Sequence, residues 1–398
     1  MIIIIIKLQK TINLLRIITM RNLSVFLLLL LFTAACADGV EEQTFEFTAS
    51  HDLENELVNV NLPLDDLSGD FCLEANGETY PAQPERLTAT RALLWWRATQ
   101  TAGTTVEFTV KRNTDCSERN YAWERVGDQS LRLLADGRPL IQYEHPVFDL
   151  NNIEYTKKPF HHVFSPVSDD FITKGSGGLF SHHRGIFFGY NQIEILNQTL
   201  DIWHAANGER GEHEELLAEF SGPVMGGHIA KINWKDAEDR IMLEERRDLR
   251  AMTHTDDSFF IDFHSRVFAI AAPARLTGDL QHAGVQFRAA QYVADNSDAT
   301  RFIRPEELSH VPATEELGED DRFNLPWNAM QFTIEGDTYT VVYMTHPSNP
   351  GRGEMSERTY GRFGEFIPHH MSEGAPVDFR YRFWVIAGEA PSIDEINA

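Results

Sequence analysis

The sequence predicts an all-β protein in which a small N-terminal β-sandwich is followed by a large antiparallel β-sandwich. Two observations support this fold class. Many short runs alternate apolar and polar residues at a period of two, and turn-rich pieces separate them, whereas helical periodicity is nearly absent. With 42% hydrophobic and 24% charged residues, the chain has the composition of a folded globular protein.

The N-terminal 36 residues are typical of an export signal. They contain four basic residues and no acidic residue, and the apolar run at residues 23–32 is too short to span a bilayer. Small residues then precede Cys36, as in a bacterial lipobox. We interpret residues 1–36 as a lipoprotein signal peptide ending at a lipidated Cys36, which predicts a membrane-anchored protein of the cell envelope. An ordinary signal beside an incidental cysteine is the alternative, and the true start is either Met1 or Met20.

The first folded unit is predicted at residues 43–120. Residues 44–48, 57–62 and 104–111 alternate apolar and polar side chains, and turn-forming residues lie between these runs. Without a convincing helix among them, these strands indicate a small β-sandwich.

Two cysteines, Cys72 and Cys116, lie within this unit. An exported compartment permits a disulfide between them, although two buried free thiols are the alternative. Zinc binding is disfavoured because the chain has no Cys-x-x-Cys spacing.

The second unit, at residues 126–390, is predicted to be the large sandwich. Residues 240–252 have high helix propensity, but a turn-like segment at 235–239 joins them to the preceding strand, so a β-hairpin is expected. The polar, acidic stretch at residues 304–321 is expected to be a loop. The other predicted strands are 130–134, 140–144, 185–190, 227–234, 258–271, 284–292, 337–346 and 377–386.

The charge balance argues against nucleic-acid partners. The chain has 35 basic and 60 acidic residues, a formal net charge of −25. Phosphate backbones are bound by surfaces with a surplus of Lys and Arg.

Histidines are concentrated in the second unit, where 15 of the 16 lie at or beyond His145. Because alternate residues of a strand share a face, Asp262, His264 and Arg266 are expected to project together. Either a polar cleft or a solvated outer face would explain that arrangement. Histidine suits proton transfer and metal binding because it titrates near neutrality.

A family resemblance covers residues 129–388. It rests on His182-His183-Arg184-Gly185-Ile186-Phe187-Phe188-Gly189, supported by Lys158-Pro159-Phe160-His161-His162 and His346-Pro347-Ser348-Asn349-Pro350. These motifs resemble the PmoA-type family of exported bacterial proteins, which is catalogued under a methane-oxygenase name and also as a domain of unknown function. The family often has Asp-His shortly before the His pair, whereas Leu179-Phe180-Ser181 precede it here.

The resemblance implies an exported protein associated with carbohydrate degradation. By fold-level analogy, the expected polar cleft of the large sandwich also resembles that of aldose-mutarotase-like sandwiches. The methane-oxygenase label does not carry over, since those membrane subunits span the bilayer repeatedly and this chain lacks the apolar segments of about 20 residues that spanning requires.

Three functions are consistent with these sequence features. The first is a carbohydrate-active enzyme with a His- and Arg-rich cleft, the second a non-catalytic glycan-binding lipoprotein, and the third a His/carboxylate metal site using, for example, His182, His213 and His264. No cofactor is identified, and no compact metal-binding motif is present. The expected proton-transfer residues are His183, His213, Glu215 and His264. The expected ligand-binding residues are His162, His182, Arg184, Trp203, Arg288, Trp327, His346 and Asn349, and we expect the His and Arg residues to share one cleft.

Overall fold

The computed structural model describes residues 43–116 and 119–397. The regular structure of these residues is predominantly antiparallel β, arranged in four sheets, which confirms the all-β prediction. The proposed signal peptide and Cys36 lie outside the described residues. Within the described ranges, no helix is both long and apolar enough to cross a membrane.

Sheet I contains six strands in the order β1-β6-β3-β4-β5-β2. It curls over its own core, because Phe45 and Phe47 of β1 pack against Trp96 of β5 at ring distances of 5.6 and 5.0 Å. Its strands are β1 (Gln43–Thr48), β2 (Leu53–Leu62), β3 (Phe71–Ala75), β4 (Glu78–Thr88), β5 (Arg91–Gln100) and β6 (Thr105–Arg112).

A disulfide joins Cys72 and Cys116, as the sequence suggested, so the alternative of two free thiols is wrong. The bond ties β3 to the segment that follows β6. It therefore closes sheet I near the point where the chain leaves the first unit.

Sheet II contains eight strands in the order β23-β24-β19-β11-β10-β9-β8-β7, so β7 lies at one edge. Its strands are β7 (Tyr121–Arg125), β8 (Ser130–Ala135), β9 (Arg138–Glu144), β10 (Phe160–Val163), β11 (Gly185–Tyr190), β19 (Ala283–Arg288), β23 (Glu354–Arg358) and β24 (Arg362–Phe366).

Sheet III also contains eight strands, in the order β14-β15-β16-β17-β26-β22-β21-β20. Its strands are β14 (Arg210–Phe220), β15 (Gly226–Lys235), β16 (Ile241–Thr255), β17 (Ser258–Ala269), β20 (Arg301–Ile303), β21 (Trp327–Ile334), β22 (Asp337–Thr345) and β26 (Pro376–Ala387).

Smaller elements complete the fold. Sheet IV has the order β13-β12-β18-β25, with β12 (Gln192–Ile195), β13 (Gln198–Leu200), β18 (Ala274–Thr277) and β25 (His369–Met371). The short α-helices are Ile153–Thr156, Gln291–Asp295 and Ile393–Asn397, and the 3-10 turns are Leu150–Asn152, Ser297–Ala299 and Glu306–Leu308.

Sheets II and III pack face to face around the main core. Phe188 of β11 contacts Phe263 of β17 and Phe379 of β26, with ring centroids 6.4 and 5.4 Å apart. Because side chains alternate along each strand, the neighbours of these core residues point out of the sandwich on opposite sides. The core therefore separates the two outer faces, so site residues on opposite faces cannot meet.

Two predicted elements can be compared directly with the structure. The hairpin prediction for residues 240–252 is confirmed, since β16 pairs with β15 along its length despite its helix propensity. The predicted strand 284–292 is wrong at its end. β19 stops at Arg288, and the chain turns at Ala290 into the helix Gln291–Asp295, whose Val293 is buried.

The two units share no strand among the described residues, but side chains join them closely. Gln83 Oε1 accepts hydrogen bonds from the backbone N–H groups of Val224 and Met225, at 3.1 Å each. Glu85 receives two bonds from Arg250, at 2.7 and 3.0 Å. The predicted limits of 43–120 and 126–390 stay a prediction, and so does proteolysis at their junction.

Candidate functional site

A buried, basic group of side chains lies on the outer face of sheet II, where β11 begins and β19 ends. Gly185 and Arg288 are paired across these two strands, and the ring of His183 lies 5.7 Å from that of the outward-facing Phe187. We call this group the His183 cluster and define it as Lys158, Lys174, His182, His183, Arg184, Trp203, Arg288 and Arg362.

The backbone before β11 fixes the position of His183. Gly185 has a φ of +41°, and a Cβ at this position would clash with the carbonyl oxygen of His161, so glycine allows β11 to approach β10 closely. The N–H of His183 donates to the carbonyl of Phe180 at 2.9 Å, closing a turn. Lys174 Nζ donates to the His183 carbonyl at 3.0 Å. His183 is thereby held from both sides.

The His183 cluster contains seven buried nitrogen atoms that have no hydrogen-bond partner among the described residues. Both ring nitrogens of His183 belong to this set, and the residue is only 2% exposed, so water cannot easily serve as their partner. The others are His182 Nε2, Arg184 Nη1, Trp203 Nε1, and Nε and Nη2 of Arg288. Buried polar groups are normally paired, and an unpaired one costs about 1–3 kcal/mol. This concentration of unpaired nitrogens marks the cluster as a place for an acceptor-rich ligand.

Basic groups dominate the electrostatics of the cluster. Burial lowers the pKa of His183 strongly, and Arg362, His182, Lys158 and Arg288 lower it further. The ring is therefore neutral at physiological pH.

The two lysines of the cluster are also perturbed. Burial lowers the pKa of Lys174 to about 7, and Arg288 and Arg184 add to the effect. Burial holds the pKa of Lys158 well below its usual range. Its Nζ donates to the Trp203 carbonyl and lies 5.0 Å from the centre of the Phe187 ring.

Carboxylates reach this cluster at its rim. Glu154 pairs with Lys157 at 2.7 Å and with Arg184 at 3.5 Å. Asp201 pairs with His204, whose ring lies 4.6 Å from that of His182. The ring nitrogens of His183 and the free edge of Arg288 have no such partner among the described residues. The interior of the cluster is left with a surplus of positive charge.

The predicted residue His162 lies next to this cluster, on β10. It is buried, its Nδ1 lies 3.1 Å from Thr173 Oγ1, and its ring stacks on Phe171 at 4.0 Å. Burial lowers its pKa to about 4. Thr173 and the stacked Phe171 hold the ring in place, so His162 contributes to the wall beside the cluster.

The expectation that the histidines share one cleft is wrong for His213. His213 lies on β14 of sheet III, where its Nδ1 is 3.2 Å from Tyr143 Oη and its ring is 4.6 Å from that of His145. Glu215 is exposed on the same strand. The hydrogen bond and ring contacts of His213 are with Tyr143 and His145, so it does not join the His183 cluster.

The single-cleft expectation is also wrong for His264 and His346. Both line a separate cleft of about 540 Å³ between sheet I and the outer face of sheet III. His264 Nε2 lies 2.6 Å from Asp378 Oδ1. The main core lies between this face and the His183 cluster. We call this pocket the interunit cleft, lined by Trp95, Arg250, His264, His346, Arg380 and Arg382 among others.

Asn349 and Trp327 have local structural partners. The Asn349 side chain accepts from the N–H of Arg380 at 2.7 Å and donates to its carbonyl at 2.9 Å, which fixes the loop beside the interunit cleft. Trp327 is buried and donates to Asn397 Oδ1 at 2.8 Å, so it anchors the C-terminal helix.

Several members of the His183 cluster could not be singled out from the sequence. Lys174 lies in a glycine-rich loop and belongs to no recognisable motif. Arg362 is a single charged residue in a sequence typical of a strand. Arg362 is nevertheless fully buried, donating to Gln286, Ser356 and Tyr360. Lys158 begins the motif Lys158-Pro159-Phe160-His161-His162, and its place shortly before a histidine pair was the available signal.

The comparisons with known proteins give a family without a function. A family model described as a family of unknown function, DUF6807, matches residues 130–398, which include the His183 cluster. No curated protein matches the chain. The chain therefore belongs to the DUF6807 family of unknown function.

Proposed function

We propose that this protein is an exported lipoprotein that binds a carbohydrate carrying an acidic group, with the His183 cluster as the binding site. The observation that carries the proposal is the set of seven buried, unpaired nitrogens described above. Those of Arg184, Arg288 and Trp203 are donors alone, and a histidine ring always offers at least one donor. A carboxylate, sulfate or phosphate group supplies the oxygen acceptors that such a set lacks.

Charge supports an anionic ligand. Arg288 lies over the ring of Tyr360, 5.1 Å from its centre, and its Nε and Nη2 are unpaired among the described residues. A planar guanidinium with two free donors matches the geometry of a carboxylate or sulfate. The chain as a whole carries a net charge of −25, so a buried basic site in it is a local exception rather than a general surface property.

The aromatic rings around His183 support a sugar as the rest of the ligand. The rings of Trp203 and Tyr360 lie 5.5 and 6.2 Å from that of His183. Aromatic faces beside polar groups suit a ligand that has both C–H faces and hydroxyl edges. The motif His182-His183-Arg184-Gly185, which resembles the PmoA-type family, runs through the same place.

His183 also supports a second candidate, an enzyme. A bound anion would raise the pKa of this neutral imidazole, and the ring could then accept a proton from the ligand as a general base. Binding without turnover is favoured by the lack of a carboxylate to orient the ring among the described residues, since catalytic bases usually have such a partner.

Replacing Arg288 tests the binding proposal. We expect wild-type protein to bind glucuronic acid, galacturonic acid or a sulfated monosaccharide in calorimetric titrations and to bind glucose far more weakly. Arg288→Met should lower the affinity for these acidic sugars about 100-fold, because it removes the buried positive charge that would face the anionic group. Arg275→Met is the matched control, since it removes the same charge from an exposed residue paired with Glu194.

Equal binding of glucose and the acidic sugars would contradict the proposal. Unchanged affinity in a folded Arg288→Met variant would do the same. Thermal melting of both variants, without ligand, shows whether loss of binding reflects loss of the fold.

Cys36→Ala tests the lipoprotein part of the proposal. Because the thiol is the atom that would carry the lipid, the variant should remain as unprocessed precursor or leave the membrane fraction. Fractionation and the mass of the mature protein measure this. Unchanged membrane partitioning together with unchanged processing would rule the anchor out.

A further inference from the structure

The interunit cleft is a second pocket, separate from the His183 cluster. Its volume of about 540 Å³ lies within the range of small-molecule binding sites. Sheet I contributes Trp95, and sheet III and its adjoining loop contribute the remaining lining. Both units therefore contribute to its lining.

The charged residues of this cleft are already paired. Arg382 donates two bonds to Asp262, at 2.6 and 3.0 Å. Arg250 donates to Asp248, at 3.0 and 2.8 Å, as well as to Glu85. A charged ligand would have to compete with these bidentate pairs. A neutral ligand can hydrogen-bond to their free edges without breaking them.

Two histidines of the cleft offer complementary hydrogen-bonding atoms. His346 Nδ1 accepts from the N–H of Ser348 at 3.1 Å, so the proton of its neutral ring is on Nε2, a donor. His264 Nε2 donates to Asp378, which leaves Nδ1 as an acceptor. Burial lowers the pKa of both rings, so both are neutral at physiological pH. One donor and one acceptor in the same pocket fit a hydroxyl group, which does both.

Apolar surface accompanies these polar atoms. Trp95, Met344 and Pro347 line the cleft together with the ion pairs. Trp95 Nε1 donates to Glu85 at 2.8 Å, and the guanidinium of Arg250 lies over its ring at 5.0 Å, so the indole is held in one orientation. A fixed indole beside fixed polar groups is a surface for the C–H face of a sugar.

We infer that the interunit cleft is a binding site for a neutral, hydroxyl-rich ligand of about disaccharide size. This inference does not depend on the function proposed for the His183 cluster. It assigns the N-terminal unit a direct part in ligand binding through Trp95.

Calorimetric titration with neutral disaccharides tests the inference. The probes are cellobiose, maltose, xylobiose and mannobiose, added to the full chain. At least one should bind, and Trp95→Ala and His346→Ala should each weaken it about tenfold or more. His310→Ala is the control because His310 is exposed and paired with Asp321 away from the cleft. It should leave the affinity unchanged.

Variants of the His183 cluster separate the two sites. His183→Phe should leave disaccharide binding intact, whereas Trp95→Ala should leave acidic-sugar binding intact. The inference is overturned if none of the four probes binds at about 10 mM, if binding survives both cleft variants unchanged, or if His183→Phe abolishes it. If the neutral disaccharides bind and the acidic sugars do not, the proposal for the His183 cluster is contradicted and the inference about the interunit cleft is not.

Discussion

His183→Phe should abolish acidic-sugar binding while making the unliganded protein more stable. Both ring nitrogens of His183 are buried without a partner among the described residues. A phenyl ring fills nearly the same space and has no polar atom to leave unpaired. We therefore expect the free energy of unfolding to rise by about 1–2 kcal/mol. Binding should fall by about 100-fold or more, since two polar contacts to the ligand are removed. Denaturant unfolding and titration calorimetry measure the two effects.

His162→Phe is the matched control for this prediction. His162 is also a buried histidine on the same face, but its Nδ1 lies within hydrogen-bonding distance of Thr173 Oγ1. Replacing it removes a satisfied contact, and about 1 kcal/mol should be lost rather than gained. If His183→Phe were destabilised to the same degree, His183 would be a structural residue and the ligand site would lie elsewhere.

Glu365→Gln should raise stability at neutral pH and have little effect at acidic pH. Glu365 points from β24 into the core between sheets II and III and is 2% exposed. Burial raises its pKa to about 7, although Tyr381, Thr345 and Asn349 lower it in part. Among the described residues, Glu365 Oε2 has no partner at hydrogen-bonding distance. A neutral amide of the same shape avoids the penalty of an ionised carboxylate there.

The direction of the pH effect follows from the two pKa values. The unfolded carboxyl loses its proton near 4.5, whereas the folded one keeps it to about 7. Between these values the folded state binds more protons, so this group lowers the free energy of unfolding as pH rises. A difference of about 2.5 pKa units corresponds to about 3 kcal/mol. The gain in Glu365→Gln over wild type should therefore grow from pH 4.5 to 7 and level off above it.

Glu357→Gln provides the contrast. Glu357 is equally buried on the neighbouring strand β23, but it is paired with Arg304 at 2.7 Å. Its replacement leaves a buried guanidinium without its partner and should destabilise the protein at every pH above the acid range. A pH-independent effect in Glu365→Gln would show that the native fold does not raise the pKa of this carboxyl.

The sequence predicted the sheets well because strand periodicity is a local property. The predicted strands 185–190 and 258–271 alternate core and outer side chains. They form β11 and β17, and β17 ends two residues before the predicted limit, at Ala269. β5 was missed because its centre, Leu93-Leu94-Trp95-Trp96, is continuously apolar and hides the alternation. Its two tryptophans face opposite ways, with Trp96 in the core of sheet I and Trp95 at the interunit cleft.

The candidate site was predicted less well because its assembly depends on which outer face each strand presents. His183, Arg184 and Arg288 were identified and do lie together. His264 and His346 were assigned to the same place. Phe263 packs on Phe188 in the core, so the adjacent His264 lies on the opposite outer face, and His346 lines the same cleft as His264. Residue type showed that these side chains were polar and clustered in sequence, but it carried no information on which sheet faced which.

The edge strand β7 lies outside the residues that the family model matches. It covers the border of sheet II by pairing with β8, and Trp123 fastens it by donating to the carbonyls of Phe220 and Gly227, at 3.0 Å each. The family match begins at residue 130, after this strand. A form of this chain that began at residue 130 would leave β8 without its partner β7. Its free N–H and C=O groups would then be a template for pairing between molecules.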